Sequence, residues 1–192
     1  MKSPPEDLAA DLLAHSDLVL RSDPIARFDD VATAVGRSRA ALYYYFAGRD
    51  DLMAFVLQAH VDAGATAMAT ADPGTGTAAI RLRAMLAAAL EYLSTRPQVC
   101  AGLLSAAGAS GSLAGVLALN DRHIAAPMRA LLAQGNRDGS MSVALPDAAA
   151  DTILGALLLA VIGRWSRGGD PSDGQFRAAV LDQVIAGLRP PA

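Results

Sequence analysis

At 192 residues the chain is long enough for one sizeable core, or for a small module that shares a continuous helix with a larger one. Hydrophobic residues make up 53% of it and charged residues 18%, with alanine and leucine dominant, a composition that favours helix over sheet. The net charge of −3 excludes coating of nucleic acid by bulk electrostatics but leaves room for a local basic patch, while the single cysteine, Cys100, excludes an internal disulfide or a cysteine-ligated metal cluster and makes a reducing cytoplasm the simplest home.

Residues 1–6 carry one lysine and two prolines with no apolar stretch behind them, so no secretory signal is expected. Ser3 and Glu6 have capping-box spacing around Pro4 and Pro5, and Leu8, Leu12 and Val19 repeat at near-helical intervals, predicting a first helix to about Leu20. Ser22-Asp23-Pro24 breaks it, and residues 29–35 form a short amphipathic helix with Asp29 and Asp30 in its first turn. Gly36 ends that helix, Arg37 makes the turn, Ser38 caps, and a third helix runs from Arg39 to about Phe46. Two short helices across a glycine-containing turn make a helix-turn-helix.

Ala47-Gly48 is the next break, and about 49–70 reads as a long connecting helix with Leu52, Phe55, Val56 and Ala59 on one face. The linker 71–76 precedes a helix over 79–95 that Pro97 stops. Helices follow over 98–108 and 113–134, the second with a kink or break expected at Pro127, then a polar loop over 135–146. Two last apolar helices, 147–167 and about 172–188, flank Gly168-Gly169-Asp170-Pro171. The longest apolar run, 152–163, is 12 residues, short of the roughly 20 that cross a bilayer, so no membrane span is expected.

On the third helix a 100° step groups Leu42 with Phe46 on one side, and Ala40, Ala41, Tyr44 and Tyr45 on the other. Burying the first pair anchors the helix, while the alanines leave its outer surface thin enough for a major groove and rim tyrosines can donate to phosphates. Arg39 lies at the end of the helix that meets base edges, and Arg37 in the turn before it, so both are candidate DNA contacts.

The combination Phe28-Asp29-Asp30-Val31-Ala32, then Gly36-Arg37-Ser38, then Leu42-Tyr43-Tyr44-Tyr45-Phe46, then Arg49 with Leu52 three later, resembles the DNA-binding region of the tetracycline-repressor (TetR) family. The resemblance implies an all-α fold: a helix-turn-helix DNA-binding domain (1–48) joined by the long helix to a helical ligand-binding and dimerisation domain (71–192). It places Ser38, Arg39, Tyr44 and Ala41 at the groove of double-stranded operator DNA, and Tyr43, Tyr45 and Arg49 on phosphates. It implies a homodimer through 147–167 and 172–188, a pseudo-palindromic operator read at roughly 34 to 36 Å spacing, and an unidentified small-molecule effector that releases the DNA. Arg27 stands where the family has Ser or Thr, Arg49 where it has lysine, and Asp29, Asp50 and Asp51 bring negative charge toward the phosphates.

Met85, Leu103, Leu104, Met128 and Trp165 are plausible lining for an effector pocket, but leucine and methionine at helical spacing are more often core, and core is the favoured reading for each. His123 reads as a surface or capping group, and Cys100 as a small buried hydrophobe. No metal-ligand spacing, nucleophile–base motif or phosphate loop is visible, so neither an enzyme nor a cofactor is expected. The alternatives are a degenerate member acting as a helical interaction module and, behind it, a small-molecule enzyme.

Overall fold

Helix follows helix along the chain. The computed structural model describes residues 3–21, 24–107 and 111–190. The head comprises α1 (Glu6–Ala14), α2 (Ser16–Leu20), α3 (Phe28–Ala34) and α4 (Arg39–Tyr45). The long α5 (Arg49–Ala71) leads to α6 (Ala78–Ser94), α7 (Pro97–Ala106) and α8 (Ser112–Asn120), and a π-helical turn (Asp121–Ala125) opens into α9 (Ala126–Asp138). α10 (Pro146–Ser166) and α11 (Gly174–Ala186) complete the body. The expectations placed on Ser22, Asp23 and Gly108 lie outside the described residues.

Three departures from expectation have local causes. The first helix is two: α1 starts behind Pro5 with no side-chain cap, so the Ser3–Glu6 box does not form, and the chain leaves helical geometry at His15 (φ −104°, ψ 26°). His15 Nδ1 lies 2.8 Å from the Asp11 carbonyl, and the Ser16 hydroxyl donates to the Leu13 carbonyl, so side chains cap the broken end. At Pro127 the helix does not break at the proline. The strain is taken up one turn earlier by the π-helical turn, whose wider spacing accommodates a residue that has no N–H and crowds the carbonyl four back. Gly135 does not end a helix either: α9 runs on to Asp138, and Gly135 is buried against Met141, whose Cβ would lie 2.9 Å from an added Cβ. It is a close-approach glycine rather than a stop.

Two cores result. The first gathers Leu8, Leu12, Val19, Leu20, Val31, Leu42 and Phe46 around Leu52, Val56 and Leu57 of α5, and draws in Val99, Ala106, Leu113 and Val116 from α7 and α8. The head is therefore seated directly on the body. The second lies among α6, α9, α10 and α11 and is reached by Met68 at the far end of α5, so one helix is shared by both. Asp72 and Arg81 lock the turn from α5 to α6 with contacts of 2.9 and 2.7 Å, and that pairing holds the Asp72 carboxyl at about 2. Cys100 is fully buried, and desolvation pushes its thiol up to about 12, as suits a small core residue.

α10 buries only Ala150, Ile153, Leu157 and Val161, and α11 only Leu181. Leu159 is left 60% exposed and Trp165 41%. The helices around the apolar runs are longer than the runs themselves: α5, with 23 residues, and α10, with 21, are each long and apolar enough to cross a bilayer by length and composition.

Candidate nucleic-acid interface

The turn before α4 is built from backbone hydrogen bonds. Gly36 takes φ +63°, the left-handed region that favours glycine; its N–H donates to Thr33 O (3.2 Å) and that of Arg37 to Ala32 O (2.9 Å), closing α3 with a Schellman motif. Ser38 then caps α4, its hydroxyl oxygen accepting the Ala41 N–H at 3.1 Å. At the start of α3 Arg27 supplies no acceptor. Asp30 does the capping instead, taking the Arg27 backbone N–H at 2.9 Å, which with the Arg27 side chain lowers the Asp30 carboxyl.

Leu42 and Phe46 are fully buried, and the opposite side of α4 is open. The three tyrosines divide. Tyr44 is 59% exposed and Tyr43 45%, while Tyr45 packs half-buried against the first core and meets the Tyr44 ring edge-on at 4.9 Å. Tyr43 is braced on Phe28, with ring centroids 4.6 Å apart, and the Arg39 guanidinium lies 5.3 Å from its ring. Ser38, Arg37, Arg39 and Ala40 are exposed and Ala41 is partly so. Sequence reasoning missed Phe28 as the brace, although an aromatic residue at the head of α3 was its signal.

Each exposed arginine of this face has an aspartate beside it. Arg37 pairs with Asp7 of α1, Arg39 with Asp29 of α3 at 3.3 Å, and Arg27 with Asp30 at 3.5 Å. The Tyr43 hydroxyl, 3.4 Å away, and the Asp29 charge raise the Arg39 guanidinium further above its ordinary range. Arg49 is placed differently: it is half-buried, donates to the Arg21 carbonyl at 3.0 Å and touches the Met53 sulfur. Asp50 is exposed, whereas Asp51 accepts the Ala47 N–H at 2.9 Å and a hydrogen bond from the Ser112 hydroxyl, which together lower its carboxyl. Asp51 thus fastens the entry to α5 onto the start of α8.

In the body, a cavity of about 60 Å³ lies among α5, α6, α7, the end of α8, the π-helical turn and α10. Val61, Met68, Leu93, Val99, Leu103 and Leu157 supply much of its apolar wall, and His60, Tyr92 and Asn120 its polar part. Of the five residues weighed as lining or core, Leu103 lines this cavity, Met85 and Met128 are buried in the second core as the favoured reading had them, and Leu104 and Trp165 are exposed. Periodicity alone could not find His60 and Tyr92, because what marks them is their meeting across two helices. Their hydrogen bond is 2.7 Å, and burial, with the Arg96 charge behind it, lowers the His60 imidazole to about 4. Arg96 stacks on the outer face of Tyr92 at 4.2 Å. His123 does sit at the surface, 3.0 Å from Asp62.

No family model and no curated protein matches the chain. Solved structures do. A regulatory protein of the tetR family from Rhodococcus RHA1 is similar with a TM-score of 0.80 at 15% identity, over 98% of this chain and 100% of that one. The fatty acid degradation regulator FadR from Bacillus halodurans is similar at 0.74 and 15%, over 96% and 99%. AibR, solved with isovaleryl coenzyme A and operator DNA, is similar at 0.75 and 20%, over 97% and 100%. With the capped, tyrosine-bearing α4 and the long α5 in their expected places, this likeness establishes that the chain has the all-helical fold of the TetR-family regulators along nearly its whole length.

Proposed function

We propose that the chain is a TetR-family transcriptional regulator, a repressor that binds a pseudo-palindromic operator as a homodimer and is released by a small-molecule effector. The observation that carries this reading is α4 itself, with Leu42 and Phe46 fully buried behind an open face of Ser38, Arg39, Ala41 and Tyr44. Arg37, Tyr43 and Tyr45 then take phosphates, and Arg49 contributes its charge at the N-terminus of α5 rather than an open fork, since its guanidinium is engaged with Arg21. The surplus apolar surface of α10 and α11, continued by a groove lined by Leu145, Ala149, Ile153, Val184 and Leu188, is what a second copy would cover in a four-helix bundle. AibR supports both partners by analogy, since it was solved with an acyl-CoA and operator DNA together. A cytoplasmic location follows from the role.

Selection of bound duplexes from random DNA, followed by a mobility-shift titration in salt, tests this. A regulator yields a two-fold-related sequence preferred over random DNA, with affinity falling as salt rises. The interaction-module reading is favoured by one feature, the pairing of Arg37 and Arg39 with Asp7 and Asp29. Absence of any sequence preference at every ionic strength would decide for it.

A further inference from the structure

Groups from α1, α2, α5 and α6 form a hydrogen-bond chain with a fixed direction. The Ser16 hydroxyl donates to the Leu13 carbonyl, so its one proton is spent and its oxygen accepts from His60 Nε2, 2.9 Å away. With Nε2 as donor, Nδ1 of the neutral imidazole is the acceptor, and the proton of the 2.7 Å contact belongs to the Tyr92 hydroxyl. Each proton of the chain is thus directed from Tyr92 toward the Leu13 carbonyl. The Tyr92 oxygen therefore keeps an unused acceptor position, and Asn120, half-buried and with no side-chain partner among the described residues, lines the same cavity. No charged side chain is among the lining residues, so an ionic ligand would enter without a counter-charge.

We propose that this cavity takes a small, uncharged, mainly apolar molecule bearing a hydroxyl group, which donates to Tyr92 and is met by the Asn120 amide, and that its presence is passed to α2 through His60 and Ser16. The proposal rests on the effector reading above and gives that effector a chemical class. A hydroxyl group supplies both the proton that the Tyr92 oxygen can accept and the lone pair that an amide N–H seeks, and it brings less polar surface into this apolar wall than an amide or a carboxylic acid would. An ether offers no proton, and a carbonyl would have to take the Tyr92 proton from His60. The transmitting end is α2, whose Val19 and Leu20 belong to the core of the head, so a change at Tyr92 is felt where α4 is anchored.

The test is calorimetric titration of the full chain, without DNA, by three probes of equal non-hydrogen atom count: pentanol, butyl methyl ether and butanoate. Pentanol is expected to bind about tenfold more tightly than the ether, with butanoate weaker still. Tyr92→Phe should erase the difference between pentanol and ether. Gly64→Ala should weaken every probe while raising the melting temperature: its methyl would stand 3.7 Å from the Tyr92 ring, in the cavity and without a clash. Equal binding of pentanol and ether, or no binding of any probe, overturns the ligand class whatever the DNA results show. For the relay, pentanol should lower affinity for the selected operator about tenfold. Ser16→Ala leaves the cavity lining intact but frees the His60 tautomer, so it should lose that response even at pentanol concentrations that calorimetry shows to saturate it. A full response in Ser16→Ala overturns the relay, and failure to select any operator overturns the regulator reading while leaving the calorimetry to decide the ligand.

Discussion

On α4 the determinants lie side by side in the chain, from the Ser38 cap through the buried Leu42 to the buried Phe46. Around the cavity they come from Ser16, His60, Tyr92, Asn120 and Leu157, each on a different element. The surroundings differ as well. The face of α4 is wet and its charges are paired at the surface, where each pair is weak and screened by salt. The cavity is apolar and its polar groups are neutral, so each hydrogen bond there is hard to replace. One region should therefore respond to ionic strength and the other to pH and cavity filling.

The comparison would break most visibly at Leu42. Leu42→Ala removes a fully buried side chain and is expected to cost about 2–5 kcal/mol, read from urea denaturation followed by circular dichroism. Because the first core also holds Val99 and Val116 of the body, the loss should appear as one shifted transition. An early, separate transition of the head would show the two regions to be independent.

His60 offers a smaller effect with a defined sign. Its imidazole is lowered from an ordinary 6.5 to about 4, chiefly by desolvation, with Arg96 pushing the same way and Asp17 opposing. The unfolded chain gains a proton as pH falls through 6.5 while the folded chain does not until about 4, so this stability is complete above 6.5 and falls steadily below it, by up to about 3 kcal/mol. Unfolding free energies of the parent and His60→Gln, compared across that window, should converge toward the acid end. Parallel curves would show that His60 takes up its proton alike in the folded and the unfolded chain.

The same contrast governs what could be read before any coordinates. A cap, a left-handed glycine and a four-residue apolar spacing are local physics, which is why Gly36, Ser38, Leu42 and Phe46 fall where their residue types predict. Phe28 escaped because a ring stacked on Tyr43 is a contact between two helices, and Gly135 because a glycine pressed against Met141 is indistinguishable in sequence from one that ends a helix. The cavity was least legible. Leucine and methionine at helical spacing look alike whether they face a core or a void, and His60 becomes informative only beside Tyr92 and Ser16.

At the reading face, effects should be smaller and salt-dependent. Arg39→Ala is expected to weaken binding to the selected operator about tenfold and to relax preference at the base it meets. Its neighbour should act in the opposite sense. Asp29 holds the Arg39 fork at 3.3 Å across a pair exposed on both sides, a contact worth little to the fold, and it presents a negative charge to the phosphates. Asp29→Asn keeps the shape, frees the fork and removes that charge, so affinity in low salt should rise about threefold and the gain should fade as salt screens the lost repulsion. Its melting temperature should fall slightly, because a carboxylate in the first turn of α3 favours the helix. If affinity fell instead, Asp29 would be aiming Arg39 at the groove rather than competing for it, and the reading face would have to be counted, like the cavity, as a site held in register by its own hydrogen bonds.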